Sequence, residues 1–141
     1  MSKRSKTREL LEFEVRFYEN LLAASPDFSD VLLPLGDVYT RLDLHEQALA
    51  VDLRLTQLRV EDPLAWYNLA CSYALLKRLD ESLAALRRSV ALGYDDVAYL
   101  QNDPDLNNLR QSPQYRVLLE SVSALAAPKA KGPRTTGPAP A

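Results

Sequence analysis

The sequence predicts an all-α fold built from stacked helical hairpins. Three observations predict it. Leucine and alanine dominate while glycine occurs only four times, a bias toward helix. Trp66, Leu69, Ala70 and Tyr73 fall on one helical face. No stretch alternates apolar and polar residues with period two, so no strand is expected.

The chain has 141 residues, a length for one domain with a tail. A single cysteine, Cys71, excludes an internal disulfide and points to a reducing, cytoplasmic compartment. The segment after the basic start, ELLEFEVRFYENLL, is too charged for a secretory segment or a membrane span. Net charge is −2, unevenly spread. Residues 1–8 carry Lys3, Arg4, Lys6 and Arg8, and the tail carries Lys129, Lys131 and Arg134, neither with an acid. The body between holds all nineteen acids against ten bases, a balance of −9 that argues against nucleic-acid binding. The basic ends are expected to be solvated and mobile.

An internal repeat organises the middle. At an offset of 34, Leu35 falls on Leu69, Gly36 on Ala70, Tyr39 on Tyr73 and Leu42 on Leu76. Ala48 then meets Ser82, Leu49 meets Leu83, and Asp62 meets Asp96. Small residues at Gly36, Ala70, Ala48, Ser82 and Ser89 let paired helices approach, and Tyr39, Trp66, Leu69, Tyr73 and Leu86 fill the space between. Asp62-Pro63, Asp103-Pro104 and Ser112-Pro113 read as an N-cap followed by proline at the first helical position. Helices are expected at about 7–24, 30–41, 45–59, 63–76, 79–92, 104–110 and 113–126.

The ends read differently. The first helix carries Leu10, Leu11, Phe13, Val15, Phe17, Tyr18, Leu21 and Leu22, more apolar surface than one neighbour can cover. Phe13 and Phe17 either wrap into the core or form a self-association surface through which the chain becomes a homodimer. After Tyr94 a third unit begins, with Leu100 where Trp66 would fall, and Asp103-Pro104 interrupts it. Tyr115, Leu118, Leu119, Val122 and Leu125 form the stripe of a C-terminal cap. The stretch APKAKGPRTTGPAPA has no large apolar side chain and is expected to be disordered.

The 34-residue period, with Trp66, Leu69, Ala70 and Tyr73 in order, resembles the tetratricopeptide repeat family, a helix–turn–helix solenoid. The resemblance implies a right-handed α-α superhelix. Its expected parts are a basic segment 1–8, a half-repeat 9–28, repeats at about 29–62 and 63–96, a cap 97–126 and a tail 127–141. Asp52 departs from the family pattern, which wants a large apolar residue there. A buried carboxylate needs a partner, and a tyrosine, Trp66 Nε1 or an arginine is expected to donate to it.

No phosphate loop, zinc spacing or nucleophile elbow appears, so no catalysis, metal or cofactor is expected. His45 reads as a surface or turn residue and Cys71 as a small core residue. The resemblance places function in a concave groove lined by the first helix of each unit. The partner-binding candidates are Leu33, Asp37, Thr40 and Arg41, with Asp30 and Pro34 beside them. In the next unit they are Leu64, Tyr67, Asn68 and Cys71, and from the broken third unit Ala98, Gln101 and Asn102. Tyr67 and Asn68 could equally only support their helix. Some members of the family clamp a terminal carboxylate with basic residues; here Leu33, Asp37 and Ala98 occupy those slots, so no such clamp is expected. The groove instead suits an apolar or basic peptide. The expected function is a protein- or peptide-binding adaptor, or a chaperone for a secreted or unstable client, or a scaffold that associates through its first helix. No membrane or nucleic-acid partner is expected.

Overall fold

The computed structural model describes the backbone of residues 3–136 and the side chains from 7 to 124. The elements are α1 (Lys3–Ala24), α2 (Ser29–Arg41), α3 (His45–Leu58), α4 (Pro63–Leu75), α5 (Leu79–Ala91) and α6 (Val97–Asn102). A 3-10 turn (Pro104–Leu106), α7 (Asn107–Arg110) and α8 (Pro113–Thr136) complete them. No strand occurs among the described residues. Successive helices pack as antiparallel hairpins, α2 on α3 and α4 on α5, and stack into an α-α superhelix closed by C-terminal helices.

Two hairpin turns reproduce the 34-residue offset in their backbone. Asp43 and Lys77 both take left-handed φ, 61° and 62°. Behind them the N–H of Leu44 donates to Tyr39 O at 2.8 Å, and that of Arg78 to Tyr73 O at 2.9 Å. Such bonds close the last carbonyls of a helix and reverse the chain. The repeated caps follow the same register: Asp62 accepts from Leu64 N and Asp96 from Tyr99 N.

Close crossing depends on the small residues. A Cβ added to Gly36 would stand 2.8 Å from Asp52 Oδ1, so α2 and α3 meet there without room for a methyl group. At the equivalent crossing Ala70 is fully buried, and its carbonyl accepts from Ser82 Oγ at 2.7 Å. Ser89 Oγ ties α5 to Pro63 O at 2.8 Å. Leu35, Leu55, Leu86 and Leu100 are almost fully buried and fill the seams, each stabilising by roughly 1.5–3 kcal/mol. Trp66 is only half-buried against this core. Its Nε1 donates to Val60 O at 2.7 Å and Arg88 lies over its ring.

α1 covers the front of α2. Leu11, Val15, Tyr18 and Leu22 meet Leu35, Val38, Tyr39 and Leu42, and Tyr39 Oη donates to Glu19. Arg54 pairs with Asp27 and Arg59 with Asp30, binding α3 back to the preceding loop and helix start. Phe13 and Phe17 do not wrap into the core: they are 59% and 52% exposed, beside Leu10. The stripe that packs on α2 instead repeats three or four residues apart and leaves these rings on the opposite face.

At the other end α6 lasts one and a half turns, ended by Asp103, whose carboxylate caps the 3-10 turn through Asp105 N. Arg110 Nη2 donates to Leu100 O and Asp103 O, and Tyr115 Oη donates to Leu100 O. These bonds and buried Leu106, Leu109, Tyr115 and Val122 close the core. Leu125 lies outside the described side chains. α8 continues to Thr136 where composition predicts disorder from 127. Residues 137–141 of that tail lie outside the described residues. Among the described residues, no helix is long and apolar enough to cross a membrane.

Candidate functional site: an acidic, tyrosine-lined groove

The first helices of the hairpins, with the broken third unit, enclose an open groove of about 680 Å³. α2 contributes Leu33, Pro34, Asp37 and Thr40, and α4 contributes Leu64, Tyr67, Asn68 and Cys71. Eight of the sequence-predicted residues therefore line one cavity: Leu33, Pro34, Asp37, Thr40, Leu64, Tyr67, Asn68 and Cys71. Helical spacing puts them on the face away from α3 and α5, as the register requires.

Five predicted residues stand outside the lining: Asp30, Arg41, Ala98, Gln101 and Asn102. Arg41 is exposed and reaches back one turn to Asp37, with a 3.9 Å separation. Gln101 and Asn102 are exposed at the end of α6, and Asn102 Nδ2 donates to Ala98 O on its own helix. From this end of the chain Tyr94, Asp96, Tyr99, Asp103 and Asp105 line the groove instead, none of them among the predicted groove residues.

The floor is a hydrogen-bonded cluster. Tyr67 Oη donates to Asp103 Oδ2 at 2.5 Å, and Cys71 Sγ approaches the same oxygen at 3.7 Å. Asp103 Oδ1 accepts from Asp105 N at 2.9 Å. Burial pushes the Cys71 thiol well up, and the negative charge of Asp103 adds to it. The thiol thus stays protonated and donates. Burial also raises the Tyr67 phenol, so it too stays a donor at neutral pH. Cys71, Asp103 and Asp105 hold their ligand atoms within 4.8 Å of one another. Within that trio Asp103 takes both the thiol and the Tyr67 phenol as donors, while the Asp105 carboxylate accepts from neither.

Above the floor, the rings of Tyr67 and Tyr94 stack at 4.5 Å and 11°. Tyr99 leans on Tyr67 at 5.9 Å and 39°. Asp105 is half-buried, and desolvation, then the charges of Asp103 and Asp37, raise its carboxyl.

Asp52 closes the groove's inner wall between Gly36 and Ser72. The donor to it is neither a tyrosine, Trp66 nor an arginine. Ser72 Oγ donates to Asp52 Oδ2 at 2.6 Å, because α4 presents a serine at the α3 seam. Trp66 Nε1 is spent on Val60 O. Desolvation pushes the Asp52 carboxyl up to about 7, against the lowering effect of the Ser72 bond. His45, expected at the surface or in a turn, is instead the first residue of α3, half-buried, with Nε2 3.8 Å from Asp43.

No family model matches the chain. Over 60 residues it is 38% identical to a chloroplastic protein of Arabidopsis thaliana. That alignment spans 43% of this chain and 18% of the other, so the chain matches less than a fifth of that protein's length. Among solved structures, the fold is similar to MamA, with a TM-score of 0.68 and 20% identity over 88% of this chain and 74% of that one. It is similar also to the MamA RS-1 ArsTM double mutant, at 0.70 and 16%, over 86% of this chain and 68% of that one. MamA 41-end from Desulfovibrio magneticus RS-1 gives 0.65 and 16%, over 83% and 68%. At such identities the likeness is one of fold: a helical superhelix of the tetratricopeptide type.

Proposed function

We propose that the chain is a non-catalytic interaction module that holds a peptide or protein partner in this groove. The carrying observation is that eight residues chosen by helical register line one open cavity, with exposed apolar Leu33 and Leu64 at its walls. Exposed leucines beside a tyrosine-lined groove are the kind of surface an extended or helical segment covers. Tyr67 and Cys71 donate to Asp103, and among the described residues no nucleophile–base pair converges on free space. We keep Arg41, Gln101 and Asn102 as rim positions of the same partner surface. We also keep the division into a basic segment 1–8, a repeat domain 9–126 and a tail 127–141. A reducing, cytoplasmic setting belongs to this reading, since Cys71 is free and buried. Membranes and nucleic acid are not among the partners we propose.

The test is capture of native-host proteins on immobilised wild type and on Leu64→Glu. Leu64 is 52% exposed, so the variant should melt as the wild type does. A partner held by wild type and lost by the variant supports the groove; identical captured sets reject it. If the captured species is an unfolded client, the chaperone form of the reading is the right one.

A second reading rests on the exposed rings of Phe13 and Phe17, which suit a second copy meeting α1 to α1. It makes the chain a self-associating scaffold.

A further inference from the structure

We infer that the groove selects a cationic side chain, an arginine or lysine of the partner segment, seated on Tyr99 and beside Asp105 and Asp96. This rests on the reading of the groove as a peptide site. Among the described residues, five carboxylates line the cavity and no lysine, arginine or histidine does. Two of them are already used: Asp52 lies buried against Ser72, and Asp103 is held by Tyr67 and Asp105 N. Asp37 has only a long, exposed pair with Arg41, and Asp96 gives one oxygen to its helix cap.

Asp105 is the unbalanced group. It is half-buried, lines the groove, and its carboxylate accepts no hydrogen bond from the described residues. Its electrostatic neighbours Asp103 and Asp37 carry the same sign, and among the described residues His45 is the cation-capable group that acts on it. A partly desolvated carboxylate among like charges is stabilised by a cation brought from outside.

The aromatic groups define which cation. Tyr99 is 52% exposed, and its ring leans on the Tyr67–Tyr94 stack at the same end of the groove. A ring face beside carboxylates suits a planar guanidinium, which stacks and forms hydrogen bonds at once, and also accepts an ammonium. An acidic segment would meet like charge throughout. A wholly apolar segment would cover Asp105 without pairing it. Leu33 and Leu64 then fit apolar residues flanking the cation.

Two amidated, acetylated peptides test this: Ala-Leu-Arg-Leu-Ala and the same peptide with citrulline for arginine, equal in shape but uncharged. Both are titrated into the full chain while backbone amide NMR shifts are followed. The arginine peptide should move the amides of residues 94–105 and bind about tenfold or more tightly than the citrulline peptide, the scale of a charge-assisted bond. Asp105→Asn and Asp96→Asn should each weaken it several-fold; asparagine keeps the helix cap. Equal binding of both peptides in the groove overturns the cation inference and leaves the groove reading standing. Shifts confined to α1 overturn the inference as well. Absence of any shift at millimolar peptide also rejects it, and the Leu64→Glu capture then judges the groove by itself.

Discussion

Ser72 on α4 donates its hydroxyl to Asp52 on α3 at 2.6 Å, a buried polar contact between the two repeats. Burial holds the Asp52 carboxyl at about 7, above the 3.8 of an unfolded chain. The folded state therefore binds this proton more tightly. Its stabilising effect is complete below about pH 4 and is lost as pH rises through about 7. Asp52→Asn removes that dependence. Between pH 5 and pH 8 the wild type should lose about 2 kcal/mol relative to the variant. Urea unfolding at both pH values measures it, and parallel curves for the two proteins refute it.

Gly36 and Asp52 share one space. Gly36→Ala puts a methyl group 2.8 Å from Asp52 Oδ1, on a carboxylate whose other oxygen is tethered to Ser72. The strain, about 1–3 kcal/mol, outweighs the roughly 1 kcal/mol that alanine adds to a helix. In an Asp52→Ala background the same change should become neutral or stabilising. A double-mutant cycle reads the coupling directly, and additive costs would show that the two residues do not compete.

Lys77 bears a left-handed backbone that glycine adopts freely. It is exposed, and its side chain has no ion pair among the described residues. Lys77→Gly should raise stability by about 0.5–1 kcal/mol, read as a higher thermal midpoint. A lower midpoint would mean that the side chain holds the turn.

Cys71 should resist alkylation while the protein is folded, because burial and the adjacent Asp103 keep it a thiol. Iodoacetamide labelling should proceed at the rate of opening and become fast in urea. Prompt labelling of the folded chain at pH 7.5 would contradict the hydrogen-bonded floor.

Phe17→Glu should leave the melting temperature within the range of an exposed substitution, about 0.5 kcal/mol. Light scattering decides the rest. Self-association through α1 predicts a mass that falls to the monomer in the variant; one unchanged mass for both proteins removes the second reading.

What the sequence made legible follows from periodicity. Two hairpins, their turns and the positions of Gly36 and Ala70 recur at one offset, and a repeat carries its own register. The α2 and α4 side of the groove was readable for that reason. Tyr94, Asp96, Tyr99 and Asp105 were not, because the period fails at Tyr94 and Asp103-Pro104 redirects the chain. A usable signal was present: Tyr94, Asp95, Asp96, Tyr99, Asp103 and Asp105 crowd acids and phenols into one short stretch. The donor to Asp52 was missed for a different reason. Trp66 and Ser72 lie on the same helix, and only the packed seam shows that the serine faces Asp52 while the indole N–H turns to Val60 O.

Asn108 reaches from α7 to Ala74 O at 2.9 Å, taking up a carbonyl near the end of α4. A further hairpin grafted after Leu92 would have to evict that amide and strip Leu106 and Leu109 from the seam. Lengthening the solenoid is thus easiest by duplication inside it, between Arg59 and Asp62, where both flanking surfaces already match.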